Sequence, residues 1–205
     1  MAKIKICGLS RLIDIDMVNN VLPDYIGFIF AKSKRQVDDN TALQLKSSLD
    51  PKIQAVGVFV NEDSNRIIQL CKDGVIDIIQ LHGDEGEGYI RQLKTSVSNP
   101  IIKAVRVRTA EDIRLAEELS CDYTLLDTYK ENQYGGSGET FNWSIVPRGK
   151  KPFFLAGGID TENVLEAIAK MDPFCIDVSS GVETAGYKDL DKIIDIVKKV
   201  RSMKK

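Results

Sequence analysis

The chain has 205 residues, 43% of them hydrophobic and 28% charged, which is ample apolar material for a sizeable buried core. Its 28 Lys and Arg against 30 Asp and Glu give a formal net charge of -2, which argues against a general nucleic-acid surface or a polybasic membrane face and leaves room for a local anion site. No apolar run approaches the roughly 18–20 residues of a membrane span, and the opening MAKIKICGLSRLIDID meets charge too early for a signal-peptide core, so a cytoplasmic protein is expected.

Short apolar, β-branched runs alternate with longer amphipathic ones along the chain. KIKIC (3–7) and YIGFIF (25–30) read as strands, followed by a helix over DDNTALQLKSSL (38–49), whose Ala42, Leu45 and Leu49 share one face. AVGVFV (55–60) is the third strand, and SNRIIQLCKDG (64–74) a helix with Ile67, Ile68, Leu70 and Cys71 inward and Gly74 just past its end. The strands DIIQL (77–81) and IIKAVRV (101–107) precede the helix TAEDIRLAEEL (109–119), which opens with a capping box of Thr109 and Asp112. YTLLD (123–127) is the sixth strand, and a glycine-rich loop with Gly135, Gly136, Ser137 and Gly138 and a short turn over FNWSIV (141–146) separate it from FFLA (153–156). DTENVLEAIAK (160–170), FCIDVSS (174–180) and KDLDKIIDIVKKVRSM (188–203) complete the series, the last with an apolar stripe of Ile193, Ile196, Val197 and Val200.

Each strand has the length and near-continuous apolarity of one buried on both faces in a parallel sheet. Eight of them alternating with about eight helices predict an α/β chain, a single-domain (β/α)8 TIM barrel over residues 1–205. The rival is a doubly wound sheet. A dinucleotide-binding version wants G-x-G-x-x-G after its first strand, where this chain has Cys7-Gly8-Leu9-Ser10.

Cys7, Cys71, Cys121 and Cys175 lie far apart with no CxxC pair, and His82 is the only histidine, so neither a disulfide framework nor a zinc or multi-histidine metal site follows. Barrel active sites lie at the C-terminal ends of the strands, where this chain places Cys7, Phe30, Asn61, His82, Arg106, Asp127, Gly157–Gly158 and Ser179–Ser180–Gly181. Cys7 reads as a small buried hydrophobe by type, or as a thiolate base or nucleophile by position; the other three cysteines read as packing. Asp127, directly after four apolar residues, reads as a general acid or as a cap or loop ion pair. The stretches Leu155–Ile159 and Asp177–Glu183 follow the last two strands, and their small residues let backbone N–H groups approach a phosphate. Arg35 can grip a carboxylate with its fork, while Lys32 and Lys34 read as solvated surface. His82 reads equally as a structural rim histidine or a substrate contact, and Lys103 and Arg106 as pointing into the barrel top or pairing with acids there.

The segments KICGL (5–9), GFIF (27–30), VGVFVN (56–61), QLHGDE (80–85), LLDT (125–128), GGSGETFNW (135–143), LAGGI with ENV (155–164) and IDVSSGVET with GYKD (176–189) stand in this order. With them the sequence resembles the phosphoribosylanthranilate isomerase family of tryptophan biosynthesis over essentially its full length. The resemblance implies an Amadori rearrangement of N-(5-phosphoribosyl)anthranilate to 1-(2-carboxyphenylamino)-1-deoxyribulose 5-phosphate by general acid–base catalysis, with no metal and no organic cofactor. Carried over, Cys7 of KICG is the general base and Asp127 of LLD the general acid. Gly157, Gly158, Ser180 and Gly181 hold the phosphate, Arg35 holds the anthranilate carboxylate, Asp177 orients a sugar hydroxyl, and His82 joins the substrate-binding set. The partner implied is a small phosphorylated substrate, with no nucleic acid and no membrane, and the chain is a monomer or homodimer. The second loop departs from the family, which often has Ser-Pro-Arg where this chain has Ser33-Lys34-Arg35; losing the proline removes a φ constraint and predicts a looser loop.

Two rivals bracket this expectation. The histidine-pathway sugar isomerase runs the same rearrangement with an aspartate in place of Cys7, on a substrate whose second phosphate would want another glycine-rich loop in the first half of the chain. A non-catalytic sugar-phosphate-binding barrel would need neither the thiol nor the acid.

Overall fold

The computed structural model describes residues 1–128, Trp143, Val146 and 151–203. The expected glycine-rich loop and most of the 141–146 turn lie outside the described residues. Eight parallel strands pair in sequence order and close into a barrel: β1 (Lys3–Cys7), β2 (Tyr25–Ile29), β3 (Gln54–Phe59), β4 (Ile78–Leu81), β5 (Ile101–Val107), β6 (Tyr123–Thr128), β7 (Phe153–Leu155) and β8 (Cys175–Val178). The ring is completed by β1 against β8, a register that sets Lys5 beside Asp177. The α/β barrel expected from the alternation of runs is therefore the architecture found.

Seven α-helices stand among the described residues: α1 (Leu12–Val21), α2 (Asp39–Ser47), α3 (Ser64–Lys72), α4 (Glu87–Ser96), α5 (Ala110–Glu117), α6 (Val164–Met171) and α7 (Leu190–Ser202). Side-chain oxygens start several of them: Asp38 accepts from the Thr41 amide, Asp63 from Asn65, and Asp189 from Asp191 and Lys192. Each satisfies an amide that the first helical turn leaves without a partner, worth about 1 kcal/mol. The Thr109–Asp112 capping box forms as the sequence predicts.

Two of the helices, α1 and α4, give weak helical signals in the sequence. In α1, Ile15 and Val18 are buried while Leu12 and Ile13 are 47% and 53% exposed, so apolar residues cover both faces. In α4 only Ile90 and Leu93 are buried, behind Gly86 and Gly88, which weaken the helical signal at its start. None of the described helices is long and apolar enough to cross a membrane.

Strand alternation divides the core in two. One set of strand side chains, including Ile4, Ile6, Phe28, Phe59, Leu126 and Val178, packs outward against helix residues such as Ile15, Leu45, Ile67 and Ile193. The other set fills the barrel interior: Tyr25, Val56, Ile78, Ile102, Leu125, Phe154 and Cys175, joined by Tyr123 and Phe174. Phe154 is fully buried at the centre of this floor, its ring centroid 5.6 Å from those of Tyr25, Tyr123 and Phe174. After β8 the chain makes a 3₁₀ turn at Ser180–Val182 and a small hairpin, β9 (Glu183–Thr184) and β10 (Tyr187–Lys188), before α7.

Candidate active site

Above the aromatic floor the inward positions change character. Cys7, Gln80, His82, Asp127 and Asp177, from β1, β4, β6 and β8 or the residue just beyond, line a cavity of about 950 Å³. The loop after β2 walls one side with Lys32, Lys34 and Arg35, and the loops after β7 and β8 bring Gly157, Gly158, Ser179 and Ser180 to another. That volume suits a small-molecule ligand, and its open end is the C-terminal face of the barrel.

Cys7 is 7% exposed and sits two residues after Lys5, hence on the same face of β1. Burial pushes its thiol above the ordinary range; the Lys5 ammonium opposes this, Asp177 adds to it, and Lys188 opposes it again. Lys5 is itself fully buried, with its ammonium 2.8 Å from Asp177 Oδ2 and 2.9 Å from Gln80 Oε1. Burial, the largest single influence, favours the neutral amine, but the Asp177 carboxylate and the Cys7 sulfur together outweigh it and hold Lys5 charged, well above the usual lysine range. The other carboxylate oxygen, Asp177 Oδ1, is buried without a hydrogen-bond partner, leaving a strong acceptor on the cavity wall. A buried orphan of this kind costs about 1–3 kcal/mol until something donates to it.

Across the cavity, Asp127 is 4% exposed and closes β6. Its Oδ1 accepts the Thr128 amide at 2.8 Å, and Oδ2 lies 3.2 Å from His82 Nε2. The other ring nitrogen, Nδ1, is 2.9 Å from Gln80 Nε2. His82 thus has polar partners on both nitrogens, as the structural reading expects, and also lines the cavity.

The guanidinium of Arg35 faces the cavity mouth, with Nε and Nη2 each 2.6 Å from one oxygen of Glu183. The fork suited to a carboxylate is already on a carboxylate of the chain itself. Glu183 is shared with Lys188, whose ammonium lies 2.7 Å away and also donates to the Ser179 carbonyl at 2.9 Å. The loop carrying Arg35 is pinned at several points: Ser33 Oγ accepts the Arg35 amide, the Gln36 side chain donates to the Phe30 carbonyl, and the Val37 amide donates to Ile29. Ser33 and Gln36 thus restrain the loop locally where the family's proline is absent. Lys32 and Lys34 line the cavity mouth as well, so they add positive charge beside it.

Gly157 and Gly158 have φ of 82° and 63°, left-handed values that favour glycine, and a methyl group on Gly157 would strike Thr128. Gly181 does not line the cavity; a methyl there would meet the Ile159 carbonyl, so its role is to let the loop after β8 lie against the loop after β7. Lys103 and Arg106 take the second of their two readings, pairing with Glu85 and Asp84 at 2.8 Å each. Among the described residues, no group of three or more His, Cys, Asp or Glu side chains is placed to hold a metal ion. The residues that the sequence did not single out are Lys5, Gln80, Glu183 and Lys188. The first two had a signal available, since each stands two positions before a marked residue and shares its face.

A family model described as N-(5'phosphoribosyl)anthranilate (PRA) isomerase matches residues 4–199. The N-(5'-phosphoribosyl)anthranilate isomerase of Endomicrobium trichonymphae is 50% identical over 203 residues, covering 99% of this chain and 100% of that protein. Among solved structures, a phosphoribosyl anthranilate isomerase in complex with reduced 1-(o-carboxyphenylamino)-1-deoxyribulose 5-phosphate aligns with a TM-score of 0.81 at 32% identity, covering 99% of this chain and 100% of that one. A structure of monomers made from the dimeric enzyme of Thermotoga maritima aligns with a TM-score of 0.83 at 33% identity, again covering 99% and 100%.

Proposed function

Because this chain belongs to the N-(5'phosphoribosyl)anthranilate isomerase family, we infer that it isomerises N-(5-phosphoribosyl)anthranilate to 1-(2-carboxyphenylamino)-1-deoxyribulose 5-phosphate, a step of tryptophan biosynthesis. The observation that carries this at the level of residues is the placement of Cys7 and Asp127 on the wall of one cavity, with a guanidinium at its mouth and glycine loops at its side.

The chemistry asks for one proton given and one taken at the two sugar atoms that flank C1′, the ring oxygen and C2′. Asp127 gives its proton to the ring oxygen; the C1′–O bond breaks, and the nitrogen lone pair forms a protonated Schiff base. Cys7, as thiolate, takes the C2′ proton, and the electron pair left behind neutralises the iminium as an enolamine. Tautomerisation adds a proton at C1′ and removes the one on the 2′ oxygen, giving the ketone. The Cys7 thiol and the Asp127 carboxylate return to their starting forms by exchange with water. Arg35 leaves Glu183 to hold the anthranilate carboxylate, backbone groups of Gly157, Gly158 and Ser180 hold the phosphate while Gly181 lets their two loops pack together, and Asp177 Oδ1 accepts from a sugar hydroxyl, with His82 beside Asp127 on the same cavity. The left-handed glycines and the unpartnered Asp177 oxygen support these assignments.

The chain works as a single cytoplasmic domain, as monomer or homodimer; the dimeric Thermotoga relative supports the second, and light scattering on the purified protein decides. The activity is tested by generating phosphoribosylanthranilate in situ, adding protein with a metal chelator and following the loss of anthranilate-type fluorescence. Rapid loss that vanishes in Cys7→Ala is the expected result. No loss from a folded protein would overturn the reading.

A further inference from the structure

One run of contacts crosses the barrel from Lys5 to the acid, and its directions are set by a single ammonium. Lys5 has only N–H donors while charged, and Gln80 Oε1 lies 2.9 Å from it. The carboxamide therefore turns its nitrogen the other way, where it meets His82 Nδ1 at 2.9 Å. An amide nitrogen offers donors and no acceptor, so in the neutral ring Nδ1 carries the lone pair and Nε2 the proton. That proton points at Asp127 Oδ2, 3.2 Å away.

We propose that Lys5, acting through the Gln80 carboxamide, fixes His82 in the Nε2–H tautomer, so that the ring donates to Asp127 and stabilises the carboxylate that Asp127 becomes on giving up its proton. Lys5 and Gln80 are positioning residues in this scheme.

Each alternative sets like against like in a place with little water. Turning the amide over presents N–H groups to an ammonium, and Gln80 is 1% exposed. Moving the ring proton to Nδ1 sets donor against donor there and lone pair against carboxylate oxygen at Nε2. The catalytic consequence follows from charge. A hydrogen bond to a carboxylate is stronger than one to the corresponding acid, so the His82 contact strengthens as the proton leaves Asp127. With the Thr128 amide on Oδ1 and His82 on Oδ2, the transferable proton of Asp127 occupies a lone pair facing the cavity. Lys5 also stands two positions before Cys7 on the same strand face, and its positive charge lowers the Cys7 thiol, so one ammonium acts on both groups.

The tautomer stands without the isomerase reading; its effect on turnover rests on that reading. The two are measured separately. His82 is the only histidine, so long-range proton–nitrogen spectra of the ligand-free, nitrogen-15-labelled protein give one imidazole. At a pH where the ring is neutral, a protonated Nε2 and a bare Nδ1 are expected. A protonated Nδ1, or two averaged nitrogens, overturns the proposal whatever any variant does. In Gln80→Glu, a side chain of the same shape, one oxygen accepts from Lys5 and the other from Nδ1–H, so Nδ1 gains a proton and kcat falls about 10–100-fold with KM within about threefold. An unchanged Nδ1 in that variant overturns the role of Gln80, and a protonated Nδ1 with unchanged kcat overturns the role in turnover. Lys5→Met frees the amide to turn, and averaged ring nitrogens are expected; a ring that stays wholly Nε2–H removes Lys5 from the scheme.

Discussion

Lys3 and Lys5 sit two residues apart on the same face of β1 and meet opposite halves of the barrel interior. Lys3, at the floor, donates to the Tyr25 hydroxyl at 2.9 Å and lies about 5 Å from the ring centroids of Tyr25 and Phe174. Lys5, one layer up, is fully buried against Asp177 and Gln80. The lower layer is aromatic and aliphatic, with tyrosine hydroxyls, the Cys175 thiol and one lysine within it. The upper layer has a thiol, two carboxylates, an imidazole, a carboxamide and an ammonium, all on the same strand parity. One rule of alternation therefore builds both, and what separates them is only distance along the strand: packing at one end and, in the proposed reaction, proton chemistry at the other.

Substitutions in the two layers should separate these roles. Asp127→Asn keeps the shape and the Thr128 contact while removing the acid; kcat is expected to fall about 10²–10⁴-fold, with the unfolding midpoint moving by no more than about 2–4 °C. Phe154→Ala empties the centre of the floor and should cost about 3–5 kcal/mol in denaturant unfolding, while kcat per folded molecule stays within about threefold. A floor variant that lost turnover but not stability would erase the distinction.

Lys5→Met tests the one group that sets the poise of the upper layer. The ammonium lowers the Cys7 thiol against the raising effect of burial, so without it the thiol rises further. Less thiolate is then present at any given pH, and the rising limb of the kcat/KM profile moves to higher pH; a limb that does not move removes Lys5 from the control of Cys7.

Outside the barrel the effects are smaller. Glu87 at the start of α4 is held down to about 2 by the Ser120 hydroxyl, the Ser120 amide and Arg91. Its folded value lies below the unfolded one of about 4.3, so its stabilisation is complete above that pH and fades as pH falls toward the folded value. Melting temperatures measured across this window should fall less steeply for Glu87→Gln than for the parent chain.

The strands were legible because a buried parallel strand is a near-continuous apolar run, and even IIKAVRV and KIKIC, with charged residues inside them, have the bounds the sequence indicates. The helices α1 and α4 were not, since Leu12 and Ile13 face solvent and Gly86 and Gly88 blur the start of the other. Within the site, Cys7, His82 and Asp127 stand out by their place at strand ends. Lys5 did not, because a lysine inside KIKIC looks like an interruption until β8, 172 residues away, supplies Asp177. Arg35 was marked as a carboxylate grip, but its present partner, Glu183, lies 148 residues further on and is visible only once the loops converge.

The β1–β8 seam has a consequence for the order in which a ribosome makes this chain. The thiol at Cys7 is among the first residues synthesised, and the acid at Asp127 follows well before the end. The counter-charge that makes the Lys5 site tolerable, Asp177, arrives in the last strand. A nascent chain halted short of β8 would hold a bare ammonium in the wall of an unclosed barrel, so activity does not accumulate as the chain lengthens. It switches on when the final strand docks beside the first.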